Sequence, residues 1–165
     1  MNKNHVLTKN IQLLILDVDG VLTDGKIWFD ADGNEFKAFN CQDGMGIKRL
    51  QELTDITVAV ISGRYSESVA QRMKSLSIDH VFLGHSDKAP IFMKLKDSLQ
   101  VQDEQICYVG DDLPDLPIMQ QVGFPVAVNN AISKVKSCAK LITEKHGGNG
   151  AVREVCEHLI ASRLA

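Results

Sequence analysis

Carboxylates recur in this sequence where buried chain should emerge into solvent. Asp17 and Asp19 follow the apolar run Ile11 to Leu16, and Asp111, Asp112 and Asp115 follow a second run that ends at Val109. A carboxylate at the end of a buried strand is costly, and several converging on one edge repel unless a cation sits among them. Magnesium suits such a place. It is a hard ion that takes oxygen ligands, keeps several waters and joins one or two carboxylates to a substrate phosphate, and Asp17 and Asp111 could be those carboxylates. Ser62 and Lys88, after two further apolar runs, add a hydroxyl donor and a positive charge for the remaining phosphate oxygens. Backbone N–H groups of the turn after Asp17 can cradle others.

Asp17 and Asp19 stand two positions apart, so one carboxylate can attack while the other handles protons. An Asp nucleophile divides a very slow hydrolysis into formation and breakdown of an aspartyl-phosphate. Metal, lysine and nucleophile are needed together, because phosphate-monoester hydrolysis calls for accelerations of up to about 10²¹-fold. Arg64 lies just past Ser62, and Arg72 follows eight positions later on the next helix, so both could reach the rim of one site. Such arginines suit a second anionic group on the substrate, a carboxylate above all. Asn40, Cys41, Gln42, Asp43 and Gly44 either touch the substrate or form the N-terminal cap of the next helix, since Asn and Asp favour caps.

The elements that must hold these residues alternate. Strands are expected at Ile11 to Leu16, Ile56 to Ile61, His80 to Leu83, Gln105 to Val109, Pro125 to Val128 and Lys140 to Ile142. Helices are expected from Asp43 through Leu53, at Ser66 to Leu76, Ala89 to Leu99, Leu113 to Val122, Ala131 to Ser137 and Ala151 to Arg163. Lys26 to Phe29 and Glu35 to Phe39, flanking Asp30-Ala31-Asp32-Gly33, read as a β-hairpin inserted after strand 1. The pattern predicts an α/β fold, Rossmann-like, with a mostly parallel sheet and helices on both faces. Ligands bind beyond the carboxyl ends of the strands in such sheets, which is where each polar cluster falls.

Residues 1–165 are expected to form a single domain, with a flexible Gly-rich segment from about 146. The formal net charge of -3 and the scattered Lys and Arg exclude the basic stripe that a nucleic-acid backbone demands. No stretch approaches the roughly 20 apolar residues needed to span a bilayer, so no membrane partner is expected. The four cysteines, Cys41, Cys107, Cys138 and Cys156, form no CxxC pair and read as reduced thiols in a cytoplasmic protein.

Four segments in order, DVDGVLTDG at 17–25, SGR at 62–64, DK at 87–88 and GDDLPD at 110–115, resemble the motifs of the haloacid dehalogenase superfamily. That resemblance implies Asp17 as nucleophile and metal ligand. It implies Asp19 as general acid and base, lending its backbone carbonyl to the metal, with Ser62 and Lys88 holding phosphate. Asp111 would be a further magnesium ligand, with Asp112 and Asp115 orienting metal-bound water. Only 43 positions separate Asp19 from Ser62 and 26 separate Ser62 from Lys88, which leaves no room for a cap domain.

The capless arrangement, the hairpin, the stretch Phe39 to Gly46 and the tail Gly147 to Glu154 are together similar to one subfamily, the 3-deoxy-D-manno-octulosonate 8-phosphate phosphatases. This implies a magnesium-dependent homotetramer acting on an acidic sugar phosphate in lipopolysaccharide precursor synthesis. The alternatives are a phosphatase for a sialic-acid type sugar phosphate and a non-catalytic oligomerisation domain of the same fold.

Overall fold

A computed structural model describes residues 8–165. Its centre is a six-stranded sheet in which every neighbouring pair runs parallel. The strands are β1 (Leu13–Leu16), β4 (Thr57–Ser62), β5 (His80–Leu83), β6 (Ile106–Gly110), β7 (Phe124–Ala127) and β8 (Leu141–Ile142). Between β1 and β4 the chain builds a separate antiparallel pair, β2 (Trp28–Phe29) and β3 (Glu35–Phe36), which is the expected hairpin. β1, β6 and β7 are buried along their whole length, as strands covered on both faces must be.

The helices are α1 (Cys41–Leu53), α2 (Glu67–Ser75), α3 (Ala89–Leu99), α4 (Leu116–Met119), α5 (Ser133–Cys138) and α6 (Ala151–Leu164). The helix expected over Leu113 to Val122 is shorter than the apolar pattern suggested. Its first turn, Leu113–Asp115, is 3₁₀, because the Asp112 and Asp115 side chains form a capping box that winds the chain tightly. All four cysteines are free thiols. No helix among the described residues is long and apolar enough to cross a membrane.

Strand order in the sheet is β5-β4-β1-β6-β7-β8. The chain therefore builds one flank from β1 outward and then returns to build the other from β6. The reversal falls between β1 and β6, and crevices at such a switch point are where open parallel sheets bind ligands.

The Gly-rich segment expected to be flexible is held against the loop that follows β1. Gly148 N–H donates to Val21 O at 2.9 Å, and Gly147 N–H to the Asn130 side chain at 2.6 Å. Asn130 in turn donates to Gly20 O at 3.1 Å, so one amide ties the two segments together. A Cβ on Gly147 would lie 1.7 Å from Gly20 O, a distance only glycine permits.

Candidate active site

In the parallel register Leu16 faces Val109 on one side and Val60 on the other, so the chain after β1 leaves the sheet beside the ends of β6 and β4. Asp17 N–H completes the ladder by donating to Val109 O at 3.1 Å, which aims its side chain from the sheet edge. A cavity of about 410 Å³ opens there, lined by Asp17, Asp19, Ser62, Arg64, Lys88, Asp111 and Asp112 together with Gly25, Gly63, Ser86 and Pro114. Residues from four separate stretches of sequence thus meet at one place.

Lys88 precedes the first turn of α3 and its side chain is only 3% exposed. Its Nζ lies 2.8 Å from Asp17 Oδ1 and 2.7 Å from Asp115 Oδ1. Burial favours the neutral amine, yet the two carboxylates outweigh it and raise the lysine above its ordinary value, so the ammonium persists. Asp17 is raised to about 6 by burial first and by the charge of Asp115 second, with Lys88 pulling the other way. Asp111 is pushed to about 8 by burial and by Asp17, Asp115 and Asp112.

Asp115, expected to orient metal-bound water, is filled by the protein. Oδ1 accepts from Lys88 and from the Tyr108 hydroxyl at 2.7 Å each, and Oδ2 accepts from the N–H groups of Asp111 at 2.9 Å and Asp112 at 3.3 Å. A carboxylate offers about four lone-pair sites, so this one anchors Lys88 and the loop after β6. Asp112 lines the cavity while its Oδ1 accepts from Leu113 N–H at 2.7 Å.

Carboxylate oxygens of Asp17, Asp111 and Asp115 lie within 4.8 Å of one another. Asp111 Oδ1 is buried and has no hydrogen-bond partner. A Cβ on Gly20, whose φ is +89°, would fall 2.0 Å from Asp111 Oδ2, so the bare glycine backbone makes room for that carboxylate. Crowded anions with an orphaned buried oxygen fit a hard divalent cation. Asp17 and Asp111 are the two with capacity to hold it.

The stretch Asn40 to Gly44 and Arg72 do not line this cavity. Asn40 caps α1, its side chain accepting from Gln42 N–H at 2.7 Å, and Cys41 and Gln42 are exposed. Asp43 is buried and accepts from the N–H groups of Arg153 at 2.8 Å and Gly150 at 3.3 Å, which caps the last helix from outside it. Arg72 lies across Gly44, donates to Asn40 O at 3.5 Å and covers the Phe39 ring at 5.9 Å. Asn40 thus forms the cap of the next helix that was one of the two sequence alternatives for this stretch, while Asp43 serves the last helix instead.

Tyr108, Lys37 and Asn130 escaped the sequence reading. Tyr108 is a wholly buried hydroxyl in the apolar run of β6, a departure visible in the sequence. The ammonium of Lys37 contacts Asp19 Oδ1. Nothing local marks Asn130, whose partners are 110 and 17 positions away.

Residues 81–155 match the model of the haloacid dehalogenase-like hydrolases. Over 161 residues, 96% of this chain and 85% of the relative, the sequence is 47% identical to the 3-deoxy-D-manno-octulosonate 8-phosphate phosphatase of Salmonella typhi. The chain belongs to that phosphatase family. The solved structure of the enzyme from Moraxella catarrhalis, in complex with magnesium ion, phosphate ion and 3-deoxy-D-manno-octulosonate, matches with a TM-score of 0.96 at 40% identity, covering 99% of this chain and 94% of that one. The cobalt-bound enzyme from Haemophilus influenzae matches with a TM-score of 0.90 at 40% identity, covering 95% and 91%.

Proposed function

We propose that this protein hydrolyses 3-deoxy-D-manno-octulosonate 8-phosphate to the free sugar acid and phosphate, with magnesium as cofactor. The observation that carries the reading is the buried contact of Asp17 with Lys88 at the mouth of the sheet, beside the unpartnered oxygen of Asp111. The family relationship supplies the substrate.

Asp17, as the carboxylate paired with Lys88, attacks the phosphorus and forms an aspartyl-phosphate as the bond to the C8 oxygen of the sugar breaks. Asp19 gives that oxygen its proton. A water then attacks the aspartyl-phosphate, returning its proton to Asp19, and phosphate leaves as the Asp17 carboxylate is restored. Lys88 and Ser62 hold phosphoryl oxygens, and Arg64 at the rim meets the substrate's second anionic group. Asp17, Asp111 and the Asp19 backbone carbonyl would hold magnesium, which supplies charge neutralisation for the transferring phosphoryl group.

Self-association belongs to the same reading. Trp28, Phe29 and Phe36 of the hairpin are 51%, 61% and 48% exposed, an apolar surface that supports a homotetramer.

Phosphate release over a panel of sugar phosphates in magnesium tests the activity. The eight-carbon ulosonic acid phosphate should be the best substrate, and Asp17→Asn should lower its turnover by about 10⁴-fold or more. Preference for a nine-carbon acid would move the assignment to the sialic-acid type, and a wild type inert on every compound would leave only a scaffold role.

A further inference from the structure

The hairpin carries two charges toward the site. Exposure alternates from Glu35 to Phe39, with Glu35, Lys37 and Phe39 half-buried and Phe36 and Ala38 exposed, so Glu35 and Lys37 share the inward side of an extended chain. The Lys37 side chain is 1% exposed, and its ammonium contacts Asp19 Oδ1 and lies 3.4 Å from Glu35 Oε1. Lysine is almost never buried to that degree unless paired. Glu35 Oε2 in turn receives Arg64 at 2.6 Å. Alternating charges therefore run from Asp19 through Lys37 and Glu35 to Arg64 at the cavity rim.

We propose that Lys37 is a positioning residue for phosphoryl transfer: braced by Glu35, its ammonium holds the Asp19 carboxyl group in the orientation from which it protonates the departing sugar oxygen. The proposal rests on the phosphatase reading above. With Oδ1 engaged by Lys37, Oδ2 is the oxygen left to carry the transferable proton. As an Asp17 oxygen bonds to phosphorus and the bond to the sugar oxygen breaks, that proton passes to the sugar, and the charge left on Asp19 is met by Lys37. A sugar alkoxide needs the proton to leave, whereas p-nitrophenolate is stable without it. Loss of Lys37 should therefore discriminate between leaving groups, which a fault in folding or in phosphate binding does not.

The experiment compares kcat/KM for the ulosonic acid phosphate and for p-nitrophenyl phosphate, both in magnesium, because this parameter reports only steps up to formation of the aspartyl-phosphate. Lys37→Met should lose on the order of 10²-fold on the sugar phosphate and less than about threefold on p-nitrophenyl phosphate. Lys37→Arg should recover most of the loss, and Glu35→Gln should show a smaller loss with the same selectivity. Equal losses on the two substrates, or no loss on the sugar phosphate, overturn the proposal. If Lys37→Met fails to fold, Glu35→Gln decides alone, and an unchanged ratio between the substrates counts against it. A wild type that hydrolyses neither compound removes the phosphatase reading itself, a result distinct from these.

Discussion

Asp17 and Asp111 are acids whose charged forms are disfavoured by burial first and then by neighbouring carboxylates, Asp115 beside Asp17 and Asp17 beside Asp111, with pKa values of about 6 and about 8. Both lie above the ordinary carboxylate range, so without a divalent cation each contributes stability that is complete below about pH 4 and is lost as pH rises through its folded value. A cation reverses the cost by pairing with the ionised forms. In a chelator, the melting temperature should therefore fall between pH 5 and 8. Magnesium at about 100 times its dissociation constant stabilises by about 2.7 kcal/mol, or roughly 5–10 °C for a chain of this size. The effect should be larger at pH 8 than at pH 5. Calorimetry at the two pH values checks this, and a magnesium shift that is equal at both would mean that these carboxylates do not hold the ion.

The loop after β1 depends on elements far from it in sequence. Replacing Gly147 by Ala would drive a methyl group to 1.7 Å from Gly20 O, against backbone that cannot swing aside. Gly147→Ala should destabilise the fold by about 3 kcal/mol or more and lower activity well before global unfolding, measured by urea denaturation alongside phosphate release. This dependence marks the boundary of what the sequence makes legible. Strand ends were readable because burial forces apolar runs, and polar residues after Leu16, Ile61 and Val109 stand out against them. His80–Leu83 and Ala89–Leu99 fall where their patterns placed them. The role of Asp43 was not legible, because its partners Gly150 and Arg153 lie 107 and 110 positions away and a capping Asp looks the same in sequence whichever helix it serves. The anchoring role of Asp115 was not legible for a similar reason: the four donors that fill it come from three separate stretches of the chain.

At the scale of the molecule the hairpin has two unlike faces. Glu35 and Lys37 turn inward, and Trp28 and Phe36 stack with ring centres 6.4 Å apart on the exposed side. If that aromatic face joins copies of the chain, Trp28→Glu with Phe36→Glu should shift sedimentation from tetramer to monomer. A wild type that sediments as a monomer at micromolar concentration would remove the homotetramer. The clamp that Asn130 forms between Gly20 and Gly147 has a further effect, on the order of events during synthesis. Ribosomes add about 5–20 residues per second, so the glycines that back the loop after β1 are made roughly 10 s after the loop itself. A nascent chain therefore carries Asp17, Asp19, Ser62, Lys88 and Asp111 before it has the glycines that back the loop after β1. If that clamp is what holds the loop after β1 in place, phosphate release should arrive only at the end of translation, and chains truncated before residue 147 should release no phosphate although they carry Asp17, Asp19 and Asp111.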